Sequence, residues 1–246
     1  MNLLAIFKRE LVSYFTSLIA YVVIAVFLII SGFFFWSNLA MFVMWVGSDI
    51  KLGLWQYTFH DMRLIMLLLI PLLTMRLFSE EKKLGTIELL FTNPISDFEI
   101  VMGKYLACLS IFVLMLLLTL LYPVLLEIVF SVDIGPLIAG YLGMFLLGAS
   151  FMACGIFISS LTENQVVAAM TSFGVLLLLW FIDWNEGIAG EKAVELLHQI
   201  SFFEHFFNFP RGVIDMADVI YYLSVISFFL FLTLRSLESR KWRGIA

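Results

Sequence analysis

The residues best suited to bind a partner lie in one polar run, residues 76–104, in a chain that is otherwise nearly all apolar. Segment 86–92 places apolar residues at i, i+3 and i+4, which share one helix face, while Glu88 points elsewhere. Gly85 before this segment and Pro94 after it limit the helix to about two turns. The pattern predicts a short amphipathic helix that presents an apolar face with a charged rim.

Residue sets that could catalyse a reaction are not evident in the sequence. Gly103-Lys104 is followed by Tyr105, so these residues do not form a phosphate-binding loop, and the chain cannot hydrolyse ATP by that route. An intramembrane enzyme would need positioned acid, base or nucleophilic groups. The predicted spans offer serines without a histidine or an aspartate, so an enzyme is the weakest hypothesis. The serines are Ser31, Ser110, Ser150 and Ser172.

Metal binding is not predicted either. His198 and His205 lie among acidic residues, but their spacing matches no zinc motif, so solvated or interfacial histidines are expected. Cys108 and Cys154 fall within predicted spans and form no Cys-x-x-Cys pair, which indicates buried free thiols. Glu127 lies near the far end of a span, where contact with the interface or a loop is expected rather than an ion site.

The composition is that of a membrane protein. Hydrophobic residues make up 63% of the 246 residues, and charged residues make up 13%. Soluble domains contain about 45–50% apolar residues and about 25% charged residues. A soluble fold this apolar would expose more hydrophobic surface than water tolerates. No basic run suits nucleic acid, and no cleavable signal peptide is evident at the start. The sequence therefore predicts an all-α, polytopic membrane protein.

Six apolar stretches are predicted to cross the bilayer, whose core of about 30 Å needs about 20 apolar residues in a helix. We predict one transmembrane domain, residues 1–246, with an amphipathic helix on the membrane surface at 1–17. The long link at 183–218 is expected to hold amphipathic or re-entrant helices in the outer leaflet. The predicted spans are 18–36, 62–77, 105–129, 137–159, 166–182 and 219–234, with a polar loop at 79–103.

Local signals predict where several helices begin or are interrupted. Ser96 and Glu99 predict a capping box, and Thr162 with Gln165 predicts a second one. Proline predicts a kink in the second span and an interruption in the third, at Pro71 and Pro123. Small residues in the fourth span favour close packing within the bundle. The segment between the first two spans is predicted to be an interfacial loop, which holds Trp36, Trp45, Asp49, Lys51, Trp55, His60 and Asp61.

The distribution of positive charge predicts the orientation. Six spans place both termini and the polar loop on one side of the membrane. Most of the 14 lysines and arginines fall on that side, and by the positive-inside rule it is the cytosol. The cations expected at the cytosolic interface are Arg76, Lys82, Lys83 and Lys104, and those on the outer side are Lys51, Arg63, Lys192 and Arg211.

Two blocks of residues carry a family resemblance. The first block consists of Arg76, Glu80-Glu81, Gly85-Thr86, Glu88-Leu89-Leu90, Pro94 and Gly103-Lys104, and the second of residues 209–215 with Tyr221-Tyr222. The first block resembles the loop of type-2 ABC exporter permeases, and more narrowly that of small six-span permeases of the gliding-motility and copper-enzyme-maturation group. The second block supports the same resemblance.

The resemblance implies the permease subunit of an ATP-driven ABC transporter, an exporter working by alternating access in the bacterial cytoplasmic (inner) membrane. The helix at 86–92 would couple the chain to a separate ATPase subunit, which would carry ATP and magnesium, so this chain would hold no cofactor of its own. A second permease copy or a related permease would complete the pathway. The family also allows for an accessory extracytoplasmic subunit, and membrane lipid is a further partner.

The implied site residues fall into two groups. The ATPase-coupling residues are Glu80, Glu81, Gly85, Thr86, Ile87, Glu88, Leu89, Leu90 and Pro94. The residues of the outer re-entrant link are Phe206, Phe209, Pro210, Arg211 and Gly212. One alternative to transport stays open on the residues alone: a membrane anchor or scaffold subunit, because a docking loop does not prove transport.

Overall fold

A computed structural model of the protein describes residues 2–46, 50–86, 96–128, 133–181, 199 and 201–241. These residues are helical with short connections and contain no strand, so the predicted all-α fold is confirmed for the described chain. The helices are α1 (Asn2–Thr16), α2 (Leu18–Met41), a π-helical turn (Phe42–Val46), α3 (Ile50–Thr74), α4 (Arg76–Lys83), α5 (Asp97–Thr119), α6 (Leu121–Glu127), α7 (Ile134–Leu161), α8 (Gln165–Phe181), a 3-10 helix (Phe209–Arg211) and α9 (Met216–Lys241).

Within the described residues, 5 helical stretches are long and apolar enough to cross a membrane. They are Leu18–Met44, Gly53–Lys83, Asp97–Glu127, Ile134–Leu161 and Met216–Ser239. The predicted span at 166–182 corresponds to α8, an apolar helix of 17 residues, and residues 182–198 lie outside the described residues. The count of six spans therefore stays a prediction.

The segment between the first two predicted spans differs from the expected loop. The chain is helical up to Val46, and α3 already begins at Ile50. The reason is a helical repeat of buried apolar residues, with Leu54, Phe59 and Met62 at most 1% exposed. His60 is exposed and Asp61 half-buried, so these polar residues lie outside the buried face and do not interrupt the helix. Trp55, His60 and Asp61 are thus part of α3.

Helix α7 lies at the centre of the bundle, as its small residues predicted. It packs against α3, α5, α8 and α9, and 83% of its most apolar 18-residue stretch is buried. A methyl group added at Gly148 would lie 2.3 Å from the ring of Phe112, and one at Gly143 would lie 2.6 Å from Phe209 Cβ. Side chains of neighbouring elements therefore occupy the space that larger residues would need.

The boundaries of α5 and α8 test the predicted caps. Ser96 Oγ accepts from the Glu99 N–H at 3.3 Å, and Glu99 Oε2 accepts from the Ser96 N–H at 3.2 Å, which confirms the first capping box. The second box is wrong because Asn164 caps α8 instead, with Oδ1 2.9 Å from the Val166 nitrogen. Asn164 directly precedes α8, whereas Thr162 is the C-cap residue that follows α7.

Proline affects the second and third predicted spans differently. Helix α5 ends at Thr119, four residues before Pro123, whose missing N–H cannot bond to the Thr119 carbonyl. The predicted interruption of the third span is therefore confirmed. Pro71 lies inside α3, and its carbonyl accepts from the Met75 N–H at 2.9 Å, next to the break between α3 and α4.

Candidate functional site

Helix α4 ends at a glycine cap just before the predicted docking segment. Gly85 has a φ of 70°, a left-handed conformation that favours glycine, and its N–H donates to the Lys82 carbonyl at 3.1 Å. The Thr86 hydroxyl donates to the Glu81 carbonyl at 3.3 Å. Residues 87–95 lie outside the described residues, so the coupling roles of Ile87, Glu88, Leu89, Leu90 and Pro94 stay predictions.

Four charged side chains connect the two flanks of segment 87–95 to α1. We call this cluster the charged joint: Arg9, Glu10, Glu81 and Lys104. Lys104 Nζ lies 3.0 Å from Glu10 Oε1 and 2.9 Å from Glu81 Oε1. Arg9 Nη2 lies 2.7 Å and 2.8 Å from the same two oxygens. Helix α4 before the segment and α5 after it are therefore held to each other and to α1.

The charged joint is buried around Lys104. The Lys104 side chain is 1% exposed, whereas that of Arg9 is 51% exposed. The Lys104 ammonium also lies over the Phe78 ring, 5.3 Å from its centroid, so it contacts an aromatic face in addition to the two carboxylates. A buried ammonium is tolerated only when it is paired, and we therefore expect the Lys104 contacts to matter more than the exposed Arg9 contacts.

The charge state of Glu10 follows from its neighbours. Burial of Glu10 favours the neutral acid, but attraction and hydrogen bonding from Lys104 and Arg9 together outweigh it, so the pKa of Glu10 is lowered. Glu10 is thus ionised in the joint at neutral pH and compensates the buried ammonium.

A second set of contacts fixes α1 along the break between α3 and α4. The Arg76 guanidinium lies over the Tyr14 ring, 4.7 Å from its centroid, and donates to Ser17 Oγ at 2.5 Å. The Tyr14 hydroxyl donates to the Leu73 carbonyl at 2.9 Å. A cavity of about 470 Å³ remains between these elements. Charged and hydroxyl side chains line it, among them Arg9, Ser13, Thr16, Arg76, Glu80 and Lys104.

Helix α7 supplies partners for the first turn of α4. Ser159 Oγ accepts from the N–H groups of Phe78 and Ser79, at 3.1 Å and 3.2 Å. These N–H groups lie in the first turn of a helix, where intrahelical acceptors are lacking. The Lys82 ammonium contacts the Ser160 carbonyl at the same place. The start of α4 is thus bound to the central helix of the bundle.

The outer link is described from residue 201 onward, apart from residue 199. It forms turns and the 3-10 helix, which ends at Gly212 with a φ of 84°. Phe206 and Phe209 are 1% and 0% exposed, and Pro210 is also buried, so these residues pack the link onto the bundle. Arg211 is exposed. Most of residues 183–200 lie outside the described residues, so re-entrant helices stay a prediction.

The remaining titratable residues singled out in the sequence are His205, Glu127 and His198. His205 Nδ1 lies 2.7 Å from Asp218 Oδ1, and the His205 ring stacks on Tyr221 with centroids 3.9 Å apart. Glu127 is exposed in the last turn of α6. His198 lies outside the described residues.

Comparison with known proteins gives one family match, and it covers nearly the whole chain. The model of a family described as ABC-2 family transporter protein matches residues 4–241. The chain belongs to this family. A search of curated proteins found no match. Membership in the ABC-2 family confirms the predicted resemblance to type-2 ABC permeases.

In this ABC-2 family member, the cations predicted at the cytosolic interface are mostly turned inward. Lys104 and Lys82 are 1% and 7% exposed, and Arg76 lies on Tyr14; Lys83 is exposed. The structure brings Glu81 and Lys104 together, although they lie on opposite sides of the loop. Glu80 lines the cavity, while Gly85 and Thr86 are exposed at the end of α4.

Sequence analysis did not assign Arg9 and Glu10 to the site. Both residues lie on α1, in which apolar residues recur at helical spacing and charged residues occupy the other side. That polar face was the available signal. It did not indicate a partner, because the Lys104–Glu10 contact joins residues 94 positions apart.

Proposed function

We propose that this chain is the membrane-spanning permease subunit of an ATP-driven ABC exporter and that a separate ATPase subunit docks on segment 86–92. Membership in the ABC-2 family supports a transport role. The sequence contains no GxxxxGK[ST] motif, so ATP hydrolysis would come from the partner, with its ATP and magnesium.

The charged joint is the observation that carries this proposal. Glu81 precedes segment 87–95, Lys104 follows it, and their side chains are 2.9 Å apart. A force applied to the segment would therefore reach both flanking helices together. Helices α3 and α4 form one apolar stretch, Gly53–Lys83, and α5 and α6 form another, Asp97–Glu127, each long enough to cross the membrane. Motion of a docked ATPase would thus be passed to two spans at once.

The placement of the chain ends supports a common, cytosolic side for α1 and the end of α9. Ser236 Oγ, near the end of α9, lies 3.5 Å from the Ser160 carbonyl. Lys82 of α4 contacts the same carbonyl. The described part of the chain therefore begins and ends at the same end of the bundle. We propose that this end faces the cytosol, in agreement with the excess of lysine and arginine expected there.

A second permease copy or a related permease would complete the transport pathway. Helices α2 and α9 lie at the periphery of the bundle. Only 28% and 17% of their most apolar 18-residue stretches are buried. Their exposed apolar faces suit lipid or a second permease. Each permease would then bind one ATPase subunit. When ATP brings the two ATPase subunits together, it would stabilise one of the two arrangements of the spans relative to the other, as alternating access requires.

A charge reversal in the docking segment tests this proposal. Glu88→Lys should reduce recovery of the ATPase subunit in a tagged pull-down from gently solubilised membranes by about tenfold, which corresponds to a loss of about 1.4 kcal/mol of binding free energy at the interface. Glu238→Lys is the control, because it makes the same charge reversal at an exposed position, 46%, near the end of α9. Equal recovery of an active ATPase with both variants would contradict docking at segment 86–92.

A further inference from the structure

The cavity of about 470 Å³ between α1 and the break from α3 to α4 lies next to the charged joint. We call it the α1 cavity. The residues that define it are Ser13, Tyr14, Ser17, Arg76, Glu80 and Glu81. Arg9, Glu10 and Lys104 also line it, so its described lining has three cationic and three acidic side chains. The pairing of these six charges decides which of them can bind a ligand.

Four of the six charges compensate one another in the charged joint, where each contact between a cation and a carboxylate is 2.7–3.0 Å long. The two that remain are Arg76 and Glu80. Among the described residues, neither of these side chains has an ion-pair partner. The α1 cavity is therefore lined by one cation and one carboxylate that the protein itself does not compensate.

The Arg76 guanidinium is held by α1 and does not pair with Glu80, although the two residues are four apart on α4. It lies over the Tyr14 ring, and its N–H groups donate to Ser17 Oγ at 2.5 Å and to the Ser13 carbonyl at 3.5 Å. A guanidinium has five N–H donors. Donors therefore remain for the anionic oxygens of a ligand, for which arginine has the matching geometry.

The acidic side chains of the cavity supply acceptors that lack donors. The Glu80 side chain forms no hydrogen bond with a described residue. Glu81 Oε1 contacts the cations of the joint, but Glu81 Oε2 is buried without a hydrogen-bond partner in the described chain. A buried oxygen of this kind is costly to leave unpaired. A ligand group with several N–H donors, such as a primary ammonium, would satisfy these acceptors.

The surface beside the cavity is apolar. Phe15 and Leu18, next in sequence to the lining residues Thr16 and Ser17, are 40% and 79% exposed. Leu84, which itself lines the cavity, is 66% exposed. Leu18 is also the first residue of an apolar stretch long enough to cross a membrane. The cavity therefore lies where a span enters the bilayer, which is the level of lipid head groups.

We propose that the α1 cavity binds the head group of a zwitterionic membrane lipid that carries an anionic phosphate and a primary ammonium. Arg76 would contact the phosphate oxygens, and Glu80 and Glu81 would accept from the ammonium. Phe15 and Leu18 would contact the start of the acyl chains. An anionic head group without an ammonium would leave the acids without a donor, and a quaternary ammonium has no N–H to donate. This binding goes beyond the proposed transport function and does not depend on the ATPase partner.

The test is the retention of lipids by the full chain in nanodiscs. The discs contain phosphatidylethanolamine, phosphatidylglycerol and phosphatidylcholine in equal amounts, and the lipids that stay bound after release from the disc are counted by native mass spectrometry. The wild type should retain phosphatidylethanolamine about tenfold more than either of the other two lipids, the effect of one charge-assisted hydrogen bond. Equal retention of the three lipids would overturn the proposal.

Glu80→Gln tests the contact with the ammonium. The Glu80 side chain forms no hydrogen bond or ion pair with a described residue, so this variant separates ligand binding from folding. It should remove the preference for phosphatidylethanolamine over phosphatidylglycerol. Glu163→Gln makes the same change at an exposed position just before α8, outside the cavity lining, and should keep the preference. An unchanged preference in Glu80→Gln would also overturn the proposal.

Arg76→Gln tests the contact with the phosphate. It should lower retention of phosphatidylethanolamine about tenfold. The control is Arg235→Gln, since Arg235 also lies over an aromatic ring, 5.1 Å from the Phe231 centroid, but does not line the cavity. Equal retention by Arg76→Gln and the wild type would contradict the proposed phosphate contact.

A soluble ligand with the same chemistry tests whether the head group must belong to a lipid. Phosphoethanolamine is tested alone, by equilibrium dialysis against the full chain in phosphatidylcholine discs. We expect no measurable binding, because the acyl chains are missing. Binding with the same dependence on Arg76 and Glu80 would overturn a lipid-borne ligand in favour of a soluble zwitterion.

Discussion

Lys104 is buried between two carboxylates that come from different helices. It lies within 3.0 Å of both Glu10 and Glu81, and it is 1% exposed. Its ammonium compensates two acids that would otherwise share only the half-exposed Arg9. The stability of this end of the bundle should therefore depend on Lys104 far more than on the exposed Lys83.

Replacement of Lys104 by methionine tests this dependence. Removing one partner of a buried ion pair costs about 3–5 kcal/mol, so Lys104→Met should lower the free energy of unfolding by about that amount. The measurement is denaturation by SDS in mixed micelles. Lys83→Met is the control, since Lys83 is exposed and its loss should change stability by about 0.5 kcal/mol at most. Similar values for both variants would contradict a structural role for the buried pair.

The lowered pKa of Glu10 predicts how the joint responds to acid. A carboxyl whose pKa is lower in the folded state contributes its full stabilisation above its unfolded pKa of about 4.3. That contribution is lost as the pH falls through the lower, folded-state pKa. The wild type should therefore lose stability on acidification more steeply than Glu10→Gln, which lacks this group. Parallel stability curves for the two proteins between neutral and acid pH would show that the pairing of Glu10 contributes nothing.

At the scale of whole elements, the sequence identified the helices better than their contacts. The repeat of apolar residues and the Ser96–Glu99 box predicted α5 and its start. The start of α3 was missed because polar residues such as His60 and Asp61 suggested a loop, although the apolar repeat continues through them. Periodicity describes one helix at a time, and it carries no information on which helices meet.

The charged joint shows the same limit. The polar face of α1 and the charges of the loop were visible in the sequence, but Arg9 and Glu81 are 72 positions apart. The sequence offers several lysines and arginines that could pair with each acid. The pairs that form are set by the way α1 packs against α4 and α5.

The cap at the end of α4 gives a prediction about this element. Gly85→Ala should lower the free energy of unfolding by about 1–2 kcal/mol, because a residue with a Cβ is strained in the left-handed region. No atom lies within 4 Å of the added methyl, so the effect is one of backbone conformation and not of crowding.

The control for this substitution is Gly174→Ala. An added methyl at Gly174 also meets no atom within 4 Å, but Gly174 lies inside α8 with ordinary helical conformation. Alanine is favoured over glycine there by about 1 kcal/mol, so this variant should be at least as stable as the wild type. Equal destabilisation by the two substitutions, measured in the same micelles, would contradict the left-handed cap.

At the scale of the whole molecule, the charged joint and the described part of the outer link lie at opposite ends of one bundle. From His60 to Glu81, α3 and α4 rise about 30 Å at about 1.5 Å per residue. The central helix α7 contacts α4 near Ser159 and the link near Gly143. The central helix α7 therefore connects, by direct packing, the end of the bundle that holds the charged joint with the end that holds the described part of the outer link.

The central claim is that the chain works with a separate ATPase. The most direct measurement is a pull-down of the tagged, wild-type chain from gently solubilised native membranes, with ATP hydrolysis assayed on the eluate and ATP-binding chains identified by photo-crosslinking. We expect a second polypeptide that binds and hydrolyses ATP to elute with this chain. Elution of the chain alone, or only with partners that do not bind ATP, would contradict the claim.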